Sequence, residues 1–103
     1  MIKYALSFEA EADLQSIRTF VRNEAGPIAA HSTLTKVMKA IRFLSITPGA
    51  GHIREDLTDE EYRFWSVYSY MIIYDATTEP IGIVRILHGN RDISSILNSE
   101  NVD

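Results

Sequence analysis

A chain of 103 residues that is 46% hydrophobic and 23% charged has the size and composition of one folded domain, residues 1–103. Its hydrophobic content excludes a disordered chain, and its net charge of −4 argues against a nucleic-acid-binding protein. It has no cysteine, no apolar run of the roughly 18 residues that span a bilayer, and no signal-peptide pattern, so we expect a cytoplasmic protein without membrane contact.

The chain begins with a predicted strand and an amphipathic helix. Residues 2–8 alternate loosely between apolar and polar side chains, which predicts the strand. Ser7 is suited to cap the helix that follows, and the acids Glu9, Glu11 and Asp13 lie in its first turns, where the helix dipole favours them. Apolar residues then recur every three or four positions, which predicts one buried helix face: Ala10, Leu14, Ile17, Phe20 and Val21.

A second helix follows after a tight turn. Gly26 ends the first helix, and Pro27 lies in the first turn of the second, where proline is well tolerated. Thr47-Pro48-Gly49 ends the second helix. Its predicted apolar face consists of Ala30, Leu34, Val37, Ile41 and Leu44. The two helices predict a helical hairpin whose apolar faces pack on a sheet.

Residues 47–61 show no clear pattern and contain a cluster of acids: Glu55, Asp56, Asp59, Glu60 and Glu61. Residues 1–52 carry six Lys/Arg and four Asp/Glu, whereas residues 53–103 carry four Lys/Arg and ten Asp/Glu. A basic surface that neutralises phosphates is therefore restricted to one local patch. That patch, for which a solvated helix face is the simpler interpretation, consists of Arg18, Arg22, Lys36, Lys39 and Arg42.

Three apolar, β-branched and aromatic runs follow, at residues 64–67, 71–74 and 81–87. The short turns between them predict consecutive antiparallel strands. We expect Trp65 and Tyr74 to pack in the core, and Tyr68 and Tyr70 to be exposed near a turn. The element order predicts an α+β fold with an N-terminal strand, a helical hairpin, a three-stranded antiparallel sheet and a short C-terminal helix.

The last strand runs into a polar segment, residues 88–92, with the sequence HGNRD. His88 and Arg91 are residue types that a ribonuclease uses, as an acid–base group and a phosphate-binding cation. The simpler interpretation is structural. His88 and Gly89 turn the chain out of the strand, Asp92 caps the terminal helix, and Arg91 pairs with a carboxylate.

No other segment carries a motif for catalysis or ligand binding. His31 and His52 stand alone, without the converging ligands that a metal ion requires. The chain has no G-x-S-x-G, G-x-G-x-x-G or Walker sequence. We therefore expect neither a metal nor a cofactor.

Four patterns carry a resemblance to a known family. They are Ala12-Asp13-Leu14-x-x-Ile17, Leu44-x-x-x-Pro48-x-x-Gly51, Arg63-x-Trp65-x-Val67-x-x-Tyr70-x-Ile72-Ile73-Tyr74 and Ile83-Val84-Arg85-Ile86-Leu87-His88-Gly89-x-Arg91-Asp92. Over about residues 4–97, the chain resembles the ParE toxins of bacterial type II toxin–antitoxin systems, plasmid stabilisation proteins of the RelE/ParE superfamily. The resemblance implies the fold predicted above and a cytoplasmic toxin that forms a hetero-oligomer with a cognate, ParD-like antitoxin.

The resemblance also implies a target. ParE-like members are linked to inhibition of DNA gyrase without catalysis of their own, whereas RelE-like members cut messenger RNA on the ribosome. The acids at residues 53–61, where RelE-like members hold lysines, favour the first activity, as do the negative net charge and the HGNRD segment. We therefore expect a gyrase inhibitor that makes no direct specific contact with nucleic acid.

Two sets of contact residues follow from the resemblance. The target-binding candidates are Arg63, Arg85, His88 and Arg91. The antitoxin is expected to cover the edge of the sheet and the groove of the helical hairpin, unless the toxin's own core uses the groove residues Leu14, Ile17, Leu34 and Ile41.

Two alternatives stay open. The chain could be a RelE-like, ribosome-dependent mRNA endoribonuclease, in which His88 is the acid–base group and Arg63 and Arg85 hold the scissile phosphate. It could also be a degenerate, non-toxic module that only binds an antitoxin.

Overall fold

The computed structural model describes residues 3–100, which form one five-stranded sheet and three α-helices. The elements are, in chain order, β1 (Tyr4–Leu6), α1 (Phe8–Ala25), α2 (Pro27–Ile46), β2 (His52–Ile53), β3 (Tyr62–Val67), β4 (Tyr70–Asp75), β5 (Ile81–His88) and α3 (Ile93–Glu100). A turn of 3₁₀ helix, Pro48–Ala50, lies between α2 and β2. The predicted α+β fold is confirmed. None of the helices in the described part of the chain has the length and apolarity needed to cross a membrane.

The sheet has the strand order β1-β5-β4-β3-β2. Strands β3, β4 and β5 form the predicted antiparallel set. Two further strands lie at the edges: β1 pairs with β5 in parallel, and β2 pairs with β3. The predicted first strand was too long, since Phe8 already begins α1, and Ile2 lies outside the described residues. The strand β2 lies within the segment 47–61 that showed no pattern.

The sheet is covered on both faces, because alternate residues of a strand point to opposite sides. Ile72 packs with the residues of α1 and α2 in one core, whereas its neighbour Ile73 packs with α3 in a second core. The helical hairpin therefore covers one face of the sheet, and the short terminal helix covers the other. Fully buried residues of the hairpin core include Ala10, Val37, Ile41, Leu44, Ile72 and Tyr74.

The caps and most of the predicted helix faces are confirmed. The Ser7 hydroxyl accepts a hydrogen bond from the Ala10 N–H at 2.9 Å, as a helix N-cap should. Residues Ala10, Leu14, Ile17, Ala30, Val37, Ile41 and Leu44 are buried, and Val21 and Leu34 are half-buried. The prediction for Phe20 was wrong, because its side chain is 60% exposed at the edge of the stripe.

The aromatic residues of the strands divide between core and surface. Tyr74 is fully buried and Tyr68 is exposed, as predicted. Trp65 and Tyr70, which were expected in the core and on the surface respectively, are both half-buried. The Trp65 ring packs against Phe43 of α2, with 5.4 Å between ring centroids.

Tyr74 fixes the loop after α2 to the sheet. Its hydroxyl donates a hydrogen bond to the Pro48 carbonyl at 2.7 Å and accepts one from the Gly51 N–H at 2.8 Å. A Cβ atom at position 51 would lie 2.6 Å from this hydroxyl, so the contact requires glycine. Burial raises the pKa of Tyr74 above its usual value, although the Gly51 N–H and the Arg63 charge oppose the shift.

We expect Tyr74→Phe to lower the free energy of unfolding by about 1–3 kcal/mol, because it leaves the buried Gly51 N–H without an acceptor. Denaturant titration measures the change. Tyr70→Phe is the matched control, and it should be nearly neutral. Because the pKa of this hydroxyl is raised in the folded state, its contribution to stability is fully present below tyrosine's usual pKa of about 10. That contribution is lost as pH rises through the raised pKa. The difference in free energy of unfolding between wild type and Tyr74→Phe should therefore become smaller above about pH 10. Equal unfolding midpoints of the two proteins at neutral pH would contradict the role of the hydroxyl.

Candidate functional site

Helix α1 begins where β1 leaves the edge of β5. The last residue of β1, Leu6, pairs with Ile83, so β5 continues beyond the end of its parallel neighbour. The Ser7 backbone N–H donates to the Ile83 carbonyl at 3.0 Å, and the Ser7 hydroxyl donates to the Val84 carbonyl at 2.7 Å. The residue that caps α1 thus also satisfies two carbonyls on the open edge of β5.

The carboxylate of Asp13 continues this connection one and a half turns further along α1. It accepts hydrogen bonds from Arg85 Nε at 2.7 Å and Arg85 Nη2 at 2.8 Å, and a third from the Ile86 backbone N–H at 2.9 Å. The two side chains are only 11% and 15% exposed. A two-pronged ion pair of this kind fixes both distance and orientation.

An irregularity in β5 accompanies the pair. Ile73 of β4 pairs with Arg85, but the next residue, Tyr74, pairs with Ile83, so Val84 has no partner in the register. A bulge bends a strand and redirects its side chains. Arg85, a predicted target-binding residue, is accordingly bound to α1, in a contact that sequence analysis missed.

Three of the four predicted target-binding residues lie together. A cavity of about 660 Å³ between α1 and the end of β5, here called the β5 cavity, is lined by residues that include Arg85, His88 and Arg91. Its opposite wall is formed by α1, and Phe20 lies there with its ring largely exposed. The β5 cavity therefore combines cationic and aromatic side chains.

The polar segment at residues 88–92 has the structural role that was predicted for most of its residues. His88 Nδ1 accepts a hydrogen bond from the Asn90 N–H at 3.2 Å, and its ring contacts the Tyr70 ring edge-on at 5.4 Å. Asp92 caps α3 by accepting hydrogen bonds from the Ser95 hydroxyl and N–H, which lower the pKa of this carboxyl.

Arg91 departs from the prediction. We expected a carboxylate partner, but no ion pair of the Arg91 side chain occurs within residues 3–100. The residue is exposed, and its backbone N–H donates to the His88 carbonyl. Its guanidinium group therefore lies at the β5 cavity, and no acid among the described residues pairs with it.

Arg63 lies elsewhere. It pairs with Tyr74 in the sheet, donates to the Gly51 carbonyl at 2.8 Å, and lines a separate cavity beside the acids of the 55–61 loop. His88 pairs with Tyr70, so four residue steps, about 13 Å along the sheet, separate the two positions. The three residues proposed for a ribonuclease thus do not converge on one point. Among the residues that the structure covers, no group of three or more acids and histidines is placed to hold a metal ion.

The groove of the helical hairpin forms a third site, with a volume of about 770 Å³. Its apolar lining includes Leu6, Leu14, Leu34 and Met38, and its polar lining includes Glu11, Arg18, His31 and Arg42. Of the predicted antitoxin-binding residues, Leu14 and Leu34 therefore line the groove. Ile17 lines the β5 cavity instead, and Ile41 is fully buried in the core and has no surface for a partner.

Comparisons with known proteins agree with this architecture. A sequence-family model described as the ParE toxin of type II toxin–antitoxin system, parDE, matches residues 4–93. Among solved structures, the chain is similar to one described as the chromosomal ParDE TA system from P. aeruginosa. The TM-score is 0.73 at 21% sequence identity, over 85% of this chain and 96% of the other. A search of curated proteins finds no match.

We expect Asp13→Leu to lower the free energy of unfolding by about 3 kcal/mol, at the lower end of the range for breaking a buried ion pair, because Arg85 loses its bonds to the Asp13 carboxylate. The double variant Asp13→Leu, Arg85→Leu should recover part of this loss, since it also removes the buried charge of Arg85. Denaturant titration of both variants and of Arg85→Leu completes a double-mutant cycle. Strictly additive effects would show that the two residues are not coupled.

Proposed function

Since the chain belongs to the ParE toxin family of type II toxin–antitoxin systems, we propose that it binds and inhibits DNA gyrase and that a cognate antitoxin neutralises it. The observation that carries the proposal is the family match, which extends over residues 4–93 and includes the motifs of α1 and β5. The arrangement of the candidate residues supports inhibition by binding over catalysis.

A ribonuclease brings an acid–base group and phosphate-binding cations to the same phosphate. Here the guanidinium of Arg85 is held by Asp13, and Arg63 holds the Gly51 carbonyl in another part of the sheet. His88 therefore lines the β5 cavity beside Arg91 and the exposed Phe20, without Arg63 or a free Arg85 guanidinium to bind a phosphate with it. Cationic and aromatic side chains at a concave surface are typical of protein–protein contacts, which supports this cavity as a contact with gyrase.

The hairpin groove supports the second part of the proposal. Its apolar lining offers an anchor to the apolar face of a peptide, and Arg18 and Arg42 offer charges to acidic residues beside that face. An acidic amphipathic segment of the antitoxin, which orders as it binds, fits these requirements. The similar structure is described as a ParDE system, and we extend that pairing to this chain as part of the proposal.

We expect the purified protein to inhibit DNA supercoiling by gyrase and to leave messenger RNA intact in a translation assay. Arg91→Ala should weaken the inhibition about tenfold, because Arg91 is the exposed cation of the β5 cavity. Arg54→Ala is the matched control. That arginine is also on the surface, but it pairs with Asp56 on the acidic loop and should not affect gyrase.

Each alternative gives a different result in these assays. Message cleavage that disappears in His88→Ala, with gyrase unaffected, would replace the proposal by a ribonuclease. A folded protein that affects neither gyrase nor translation, and whose expression leaves bacterial growth unchanged, would leave only the antitoxin-binding module.

A further inference from the structure

The turn between β3 and β4 has an unusual residue at its tip. Val67 and Tyr70 are paired, so Tyr68 and Ser69 form a two-residue hairpin loop. Tyr68 has a φ of 55°, and it is the only non-glycine residue with positive φ among those the structure describes. Glycine or asparagine adopts this conformation at lower cost than a bulky aromatic residue. The turn alone therefore does not account for a tyrosine.

The core does not account for it either. The Tyr68 side chain is 71% exposed. Lys36 of α2 contacts its ring, with Nζ 4.7 Å from the ring centroid. This cation–π contact favours one orientation of the exposed ring without burying it. A strained residue that presents a positioned aromatic ring to solvent is typical of a binding site.

The ring belongs to a larger surface. Lys36, Lys39 and Phe43 follow one another on α2 at helical spacing and so share one face of the helix. Phe43 is 43% exposed and packs on Trp65 of β3. We call this surface the aromatic–basic strip, and it consists of Lys36, Lys39, Phe43, Trp65 and Tyr68.

The charge of the strip contrasts with that of the chain. None of the 20 residues of α2 is Asp or Glu, although the chain carries 14 acids and a net charge of −4. The acids of residues 53–61 lie on the loop before β3, outside the strip. A positive surface with aromatic side chains on an acidic protein is complementary to an acidic protein surface.

We propose that the aromatic–basic strip docks onto an acidic surface of the protein target, with Tyr68 as the anchoring side chain. The inference rests on the proposed toxin function and names a second contact with the target. None of the five strip residues lines the hairpin groove or the β5 cavity. The strip is therefore separate from the proposed antitoxin groove. A polyphosphate partner fits less well, because the ten acids of residues 53–103 repel it.

The strain at Tyr68 makes the inference testable, because stability and binding should respond in opposite directions. Tyr68→Asn removes the ring and supplies a residue that adopts a positive φ at lower cost, so the unfolding temperature should stay the same or rise. Gyrase inhibition should fall at least tenfold in the same variant. Tyr68→Phe keeps the ring and should retain inhibition within about twofold. Lys39→Glu should weaken inhibition and reduce its sensitivity to salt.

The matched control is Ile28→Asn, which removes an apolar side chain that is 86% exposed and lies outside the strip. It should leave inhibition unchanged. If Tyr68→Asn is folded and inhibits gyrase as well as wild type does, the inference is wrong. Binding of the wild-type protein to a labelled DNA oligonucleotide that is lost in Tyr68→Asn would also overturn the assignment to a protein surface.

Failure of the gyrase proposal gives a different result. A wild-type protein that leaves gyrase active but arrests bacterial growth would refute gyrase as the target, and relief of the arrest by Tyr68→Asn would still support the strip. Persistent arrest in folded Tyr68→Asn would overturn the strip as well. A wild-type protein without effect on gyrase or growth would overturn both proposals.

Discussion

The carboxylate of Asp13 connects the two halves of this fold. It holds the Arg85 guanidinium and the Ile86 N–H at once, and so binds α1 to the part of β5 that extends past the short strand β1. A strand edge with free backbone groups is costly when it is buried, and α1 satisfies this edge through Ser7 and Asp13 instead of a further strand. The position of the helical hairpin on the sheet, and with it the shape of the groove and of the β5 cavity, depends on these contacts.

A second polar contact acts at the opposite end of the hairpin. Tyr74 reaches from β4 to the loop after α2, where its hydroxyl binds the backbone at Pro48 and Gly51. Apolar packing between helices and sheet is non-directional and tolerates sliding, whereas these hydrogen bonds specify one position. The hairpin is thus fixed at its beginning by Asp13 and at its end by Tyr74. In both cases a family motif of one element contacts a motif of another, which gives those residues a structural role in addition to any role in binding.

Much of this architecture was predictable, because it follows from local rules. Periodicity, the Ser7 cap and the Gly26-Pro27 boundary placed both helices, and β-branched runs placed β3 to β5. The contacts that fix the site were not predictable in this way. Asp13 and Arg85 are 72 positions apart, and a bulge at Val84 changes the strand's alternation beside them. The strand β2 has two exposed residues and thus no hydrophobic pattern at all. Helical spacing alone also could not distinguish Ile41, which is buried, from Leu34, which lines the groove.

The distribution of charge affects both proposed binding surfaces, the hairpin groove and the aromatic–basic strip. Five of the 14 acids lie on the loop before β3, whereas α2 carries Lys36, Lys39 and Arg42 and no acid. The positive charge of α2 would attract an acidic partner before any close contact forms. The hairpin groove and the aromatic–basic strip lie on different sides of this helix, with Arg42 in one and Lys36 in the other. An acidic antitoxin segment in the groove would neutralise the field of α2 without covering the strip. Neutralisation of the toxin would then act on the encounter with its target as well as on the contact surface itself.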